Sequence, residues 1–412
     1  LWNIDVDFEA WWLIFLPLLF ALGWMAARFD IKQMLSETRN LPDSYFRGLN
    51  FLLNEEPDRA IDAFVEVAKL DPETTELHFA LGSLFRRRGE MERAIRVHQS
   101  LLFREDLPIA QRDHAQHELA QDYLKAGMLD RAEEAFSVLK DTSFALPAMR
   151  ALIRIYESEH DWPRAIEAVQ NLRKLVNEPV PQIVHYHCEQ AQAFLAQKPP
   201  NIEQARLALG LAQDALASAE FTEGTPAFVR VAMLNGSIAA SLQDFALEQR
   251  YLESVLNQAP EFAGLVAADL FKNYSAQGLD VEGLSRLQAH YQQYPSLDLF
   301  NVVFRGLRAE QGVEQAWTFA RLSLQSHPSL LGLDRLLEAE LAQKSGADQP
   351  HVESPIPGAD LNLLRRLITR HTQRLDRYVC SQCGFQARRY YWQCPGCNAW
   401  ETYKPRRLEE LE

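Results

Sequence analysis

An all-α chain of stacked helix pairs, entered by one apolar N-terminal helix and closed by a small metal-binding module, is the architecture this sequence predicts. Three observations predict it: an uncharged apolar run at residues 10–27, landmarks that recur every 34 residues from Gly48, and two CxxC pairs near the C-terminus. The 412 residues are too many for one small core. Only 18 of them are glycine, well below the roughly 7% of ordinary usage, which disfavours glycine-rich phosphate loops and many-turned β architectures. A formal net charge of −14 argues against affinity of the whole chain for nucleic acid.

The first element is the run AWWLIFLPLLFALGWMAA. At about 1.5 Å per residue these 18 positions can just cross a ~30 Å hydrocarbon core, which makes the run a transmembrane candidate. Asp5, Asp7 and Glu9 precede it and no small-residue cleavage site closes it, so it reads as a retained anchor rather than a cleaved signal peptide. Trp11, Trp12 and Trp24 lie near its ends, where indoles favour the membrane interface, and Pro17 is tolerable inside a membrane helix. Nothing basic precedes the run, whereas Arg28, Lys32, Arg39 and Arg47 follow it, so the positive-inside rule places the bulk of the chain in the cytoplasm. Cysteines there meet a reducing compartment, which favours thiolate metal binding over disulfides.

The second element is a repeat, expected over residues 40–342. Gly48 to Gly82 and Ala60 to Ala94 are each one 34-residue step, and Leu81-Gly82, Phe85 and Ala94 match the tetratricopeptide spacing of small residues where two helices touch. Ala120, Tyr123, Ala132 and Phe136 repeat the spacing after a short insertion, and Tyr156 with Ala165 repeats it again. Phe194 with Ala205, Gly236 with Pro260, Tyr274 with Pro295, and Ala316 with Pro328 carry parts of it, giving about eight units. A helix pair cannot bury its apolar face alone, so such units stack into a superhelix whose groove binds segments of other proteins.

No GxGxxG, Walker A or GxSxG element occurs, and no catalytic residue is assigned. HELAQ at residues 117–121 approaches a zincin but has glutamine where the second histidine ligand belongs. His114 and His117 fall instead on the groove side of a first helix, and with Arg86, Arg150 and Arg154 they are the expected partner-binding positions. His185 and His187, two apart on a helix, point away from each other, and Cys188 beside them reads as a buried small hydrophobe.

Residues 343–360 are rich in Pro, Gly and Ser and read as a linker. A short basic helix is expected over residues 361–377, capped by Asp360, with Leu361, Leu364, Ile368 and Leu375 on one side and Arg366, Arg370 and Arg374 on another. Over residues 378–405, Cys380/Cys383 and Cys394/Cys397 bring four thiolates to two knuckles, the donor set of a tetrahedral site for one zinc or iron ion. Gly384 and Pro395-Gly396 permit the tight knuckle turns, and Tyr378, Tyr391, Trp392 and Trp400 can shield so small a module. A thioredoxin-like redox pair is the rival reading, but it lacks a βαβ context and leaves the second CxxC unexplained. Residues 361–407 hold ten Lys/Arg against Asp376 and Glu401, a local charge of +8 that leaves −22 for the rest. Such a module can contact RNA, pack on the acidic repeats, or face anionic lipid.

Taken together, the N-terminal run, the SYFRGLNFLLNEEPDRAIDAF opening of the repeats and the VCSQCGF…YYWQCPGCNAWETY ending resemble the lipopolysaccharide assembly protein B family of Gram-negative bacteria. The resemblance spans the whole chain. It implies a single-pass inner-membrane protein with cytoplasmic tetratricopeptide repeats and a rubredoxin-like metal module, whose ligands carry over onto Cys380, Cys383, Cys394 and Cys397. It also implies a non-enzymatic adaptor that works with the membrane-anchored AAA+ protease FtsH to control degradation of LpxC, the deacetylase that commits precursors to lipid A. Glu248 and Gly283 depart from the repeat pattern, standing where alanine is usual. A homo-oligomer is compatible with the sequence, and a membrane-anchored RNA-binding or metal-sensing regulator is the alternative reading.

Overall fold

The computed structural model describes residues 56–70, 75–176, 180–218, 224–344 and 358–411, with scattered positions before residue 56. The apolar run at residues 10–27 lies outside the described residues except for Phe20, Ala21 and Trp24; among the described residues no helix is long and apolar enough to cross a membrane. Most of the expected linker, residues 345–357, lies outside them too. The chain divides into two compact units, residues 1–148 and 149–412.

The first unit holds α1 (Pro57–Leu70), the pair α2 (Thr75–Arg88) and α3 (Met91–Leu102), and the pair α4 (Ile109–Lys125) and α5 (Leu129–Ser137). The 34-residue step has a physical basis in how each pair crosses. A Cβ on Gly48 would lie 2.7 Å from the Phe64 ring, and a Cβ on Gly82 would run into the His98 ring, so each glycine lets the residue sixteen positions later lie flat on the opposing helix. Ala60 and Ala94, twelve positions after those glycines, are wholly buried between Phe64, Leu77, Leu81 and Phe85. The turns inside these pairs use the left-handed backbone region at Gly89 (φ +84°) and Gly127 (φ +74°), where glycine has no Cβ to strain.

The second unit begins within α6 (Ala145–Glu159) and continues through α7 (Trp162–Leu175), α8 (Ile183–Leu195), α9 (Ile202–Ser218), α10 (Pro226–Ser241), α11 (Phe245–Gln258), α12 (Ala263–Ala276), α13 (Asp280–Gln293), α14 (Leu297–Glu310) and α15 (Val313–Ser326). Several starts carry side-chain caps: Asp161, Thr225, Asp244 and Ser296 each accept a hydrogen bond from a backbone N–H of the first turn. The degenerate repeats substitute chemistry for the missing alanines. Glu248 is buried and accepts from Asn273 Nδ2 at 2.7 Å, so a polar pair fills the helix crossing. At Gly283 the Tyr274 ring occupies the space, 2.7 Å from where a Cβ would stand.

Two further helices, α16 (Leu330–Lys344) and α17 (Gly358–Thr372), lead to the module, α17 beginning two residues before the expected Asp360 cap. The module contains one two-stranded antiparallel sheet, β1 (Tyr378–Val379) and β2 (Gln386–Ala387), with Tyr378 opposite Ala387 and Val379 opposite Gln386.

Candidate metal centre and its seat on the repeats

The β1–β2 hairpin forms the first knuckle. Cys380 N–H donates to Phe385 O at 3.0 Å and Gly384 N–H to Cys380 O at 3.0 Å, a closure that needs Gly384 at φ +74°. The second knuckle closes the same way, with Asn398 N–H donating to Cys394 O and Cys394 N–H to Ala399 O, both at 2.8 Å, and Asn398 at φ +57°. A bridge between Cys380 and Tyr403 ties the chain end back across the hairpin.

These turns bring all four Sγ atoms within 4.8 Å of one another. Cys380 and Cys397 are 3.8 Å apart and Cys383 and Cys394 3.6 Å apart. A tetrahedron with metal–sulfur bonds near 2.3 Å has edges of about 3.8 Å, so the donor set fits one ion. Cys380 and Cys394 are buried whereas Cys383 is exposed, so one edge of the centre faces solvent. Burial disfavours the Cys380 thiolate, yet Thr402 Oγ1 at 3.2 Å and the Cys383 and Gln382 amides outweigh it and lower its pKa, while the neighbouring thiols push those of Cys383 and Cys397 up.

The module is seated on the repeats of its own unit by an aromatic and ionic clamp. Trp400 stacks on the His185 ring at 4.7 Å and 11°, and its Nε1 donates to Glu157 Oε1 at 2.9 Å. Glu157 Oε1 also accepts from Tyr186 OH at 2.6 Å. Glu401, held at φ +56°, accepts from His185 Nε2 at 2.9 Å, while Arg230 donates to His185 Nδ1 at 3.3 Å. With one ring nitrogen accepting and the other donating, His185 is neutral, and burial, aided by the Arg230 charge, holds its pKa below the ordinary histidine value against the opposing Glu401 hydrogen bond. Arg230, 2% exposed, donates to Glu189 and Gln192 and lies under the Trp392 and Trp400 rings at 5.9 and 5.7 Å.

A second anchor is Asp298, which accepts from Tyr378 OH at 2.6 Å and from two guanidinium nitrogens of Arg407 at 3.0 and 2.8 Å. The chain end then caps two helices: Glu410 accepts from Leu297 N–H at the start of α14, and Glu409 from Leu330 and Leu331 N–H at the start of α16. Of the three readings of the basic C-terminal region, packing on the acidic repeats is therefore what Arg407 does. Sequence reasoning set His185 aside and missed Arg230. No local pattern marks either, because their partners Trp400 and Glu401 lie about 170 to 215 residues away.

The expected groove residues separate. In the first unit Arg86 donates to Glu118 and to the fully buried Asp122, which also meets His98 Nδ1, so Arg86 is an internal strut rather than a free cation. His114 stacks between Phe79 at 4.1 Å and Phe144 at 5.6 Å, and His117 stacks on Phe144 at 4.9 Å. Burial disfavours the Glu118 carboxylate, but His117 and Arg86 outweigh it and hold it at about 2. Arg150 and Arg154 belong to the second unit and are exposed on α6.

Residues 378–405 match the family described as the rubredoxin metal binding domain, and residues 47–106 match a tetratricopeptide repeat family. Lipopolysaccharide assembly protein B of Escherichia coli (strain K12) is 31% identical over 395 residues, covering 95% of this chain and 97% of that protein. The protein of the same name from Haemophilus influenzae is 28% identical over 405 residues with the same coverage. Among solved structures, a tetratricopeptide repeat protein from Parabacteroides merdae covers 65% of this chain and 100% of its own at 12% identity, with a TM-score of 0.32.

Proposed function

The chain belongs to the lipopolysaccharide assembly protein B family, and from that premise we propose that it is a membrane-tethered adaptor that regulates lipopolysaccharide synthesis. In this reading residues 10–27 anchor it in the inner membrane with its bulk in the cytoplasm. The repeats then hold protein partners, and the chain promotes degradation of the deacetylase LpxC by the protease FtsH. It acts by positioning rather than by catalysis. Tethering to the protease's own bilayer turns encounter into a high effective concentration, so modest affinities suffice.

The observation that carries the proposal is the seat of the module. A small metal domain on a linker would be an independent binding unit, but here Trp400, Glu401, Tyr378 and the Glu409–Glu410 end are bonded to the repeats of the second unit. Module and repeats thus present one continuous surface. Cys380, Cys383, Cys394 and Cys397 would hold one zinc or iron ion, which supplies the cross-link that so small a module lacks in apolar core. The ion's part in this reading is structural.

Cross-linking and affinity capture from membranes, paired with the half-life of the deacetylase after depletion of this protein, tests the proposal. Capture of protease and deacetylase, with a lengthened half-life, is the expected result. Capture dominated by RNA, or an unchanged half-life, would overturn it in favour of an RNA-binding regulator.

A further inference from the structure

The arginines of α17 face outward as its sequence predicts, but the side that meets α16 is largely polar. Its inward side carries polar groups: Thr369 Oγ1 donates to Asp334 Oδ1 of α16 at 2.8 Å, Arg365 lies 3.7 Å from the same carboxylate, and Thr372 is buried. Three leucines face out, Leu363 at 58%, Leu367 at 49% and Leu364 at 44% exposure, whereas Ile368 of the expected apolar side is half-buried. At 100° per residue, Leu363 and Leu367 form the middle of the outward stripe, Arg366 and Arg370 flank it on one side, and His371 and Leu364 flank it on the other. Arg374, two residues past the helix end, is exposed as well. No acidic residue occurs between Asp360 and Asp376, and among the described residues Arg366, Arg370 and Arg374 make no ion pair.

A leucine stripe bordered by unneutralised arginines matches no acidic surface made only of charge and no apolar groove made only of hydrocarbon. It matches a surface that offers both within a few ångströms, which is the headgroup–acyl boundary of an anionic bilayer. We propose that the outward face of α17 is a bilayer-surface element that inserts Leu363 and Leu367 shallowly while Arg366, Arg370 and Arg374 bind anionic phospholipid headgroups. The charge distribution favours this over general adhesiveness, since residues 361–407 carry +8 while the remainder of the chain carries −22 and is repelled from such a surface. The contact is separate from the segment at residues 10–27 and fixes the second unit's orientation at the membrane.

The test uses the full chain in nanodiscs of phosphatidylcholine alone or with about a third phosphatidylglycerol, read by amide hydrogen exchange across residues 361–374. Retention in phosphatidylcholine discs reports the N-terminal anchor. The difference between the two discs reports α17, so failure of either reading is seen separately. Exchange should slow at least about fivefold in the anionic discs, revert at high salt, and lose about fivefold in effect for each of R366Q, R370Q and R374Q. These are exposed positions, so the variants keep the fold. Equal exchange in both discs overturns the proposal. Equal protection in both discs and in detergent also overturns it, and assigns the face to a protein occupant such as residues 345–357.

Discussion

Truncating Arg230 is the sharpest test of how the module is held. In Arg230→Ala the buried His185 Nδ1 loses its donor, Glu189 loses its cation, and the Trp392 and Trp400 rings lose the charge beneath them. Breaking a buried ion pair costs about 3–5 kcal/mol. The Glu189 side chain is 28% exposed and recovers part of its hydration, which puts this pair at the lower end. Two partly desolvated cation–π contacts add about 1 kcal/mol, for a total near 3–4 kcal/mol. At about 2–4 °C per kcal/mol for a unit of this size, the melting transition of the second unit should fall by roughly 6–15 °C. The assay is circular dichroism, with the far-ultraviolet signal following the helices and the near-ultraviolet signal the clamp tryptophans. Arg230→Lys, which keeps the charge but loses the planar fork, should fall between parent and truncation. A truncation that melts within about 1 °C of the parent, with its near-ultraviolet spectrum intact, would refute the claim that this clamp seats the module.

Other consequences follow from the same contacts. Gly82→Ala places a methyl group against the His98 ring in a crossing with no room to yield, and should cost about 1–3 kcal/mol in the first unit, read as an earlier melt that leaves the module's exchange rates unchanged. Cys380→Ser with Cys383→Ser removes half the donor set, so metal analysis should fall from one equivalent per chain to near none, and amides of residues 378–405 should exchange freely; retention of a full equivalent would show that other groups hold the ion. His185 is neutral in the fold with a pKa below its unfolded value of about 6.5, so the unfolded chain binds the proton first on acidification. Stability of the second unit should therefore be fully present above about pH 6.5 and decline below it, by up to about 1.4 kcal/mol per pH unit for each such histidine. His187 and His290, also lowered chiefly by burial, act in the same direction. Denaturation midpoints at stepwise pH check this, and His185→Gln should flatten the slope; a parent protein equally stable on both sides of pH 6.5 would contradict it.

The helix pairs and the four thiols could be read from the chain because their information is local. At the small first-helix position of a unit the glycine faces the residue sixteen later across the helix crossing, as Gly48 does Phe64, Gly82 does His98 and Gly236 does Leu252. Two CxxC knuckles likewise need only their own turns to aim sulfur inward. Amphipathic reasoning was only partly right at α17: Arg366 and Arg370 are exposed and Ile368 half-buried as expected, but Leu364 is exposed, because the period shows which residues share a face and not which face finds a neighbour, and here Thr369 and Arg365 meet Asp334 of α16.

What the sequence alone determined, then, is the repeat, its period, the donor set of the metal centre and the family resemblance carried by their order. The tertiary structure alone decided that the module is fastened to the repeats rather than tethered to them, that Arg86 serves an internal network, and that His185 and Arg230 matter. The reason is physical. Helix pairing and knuckle turns are fixed by residues within a few turns of one another, whereas a neutral histidine between an arginine and a tryptophan exists only after packing has closed loops of about 170 to 215 residues and removed water from the histidine and the arginine.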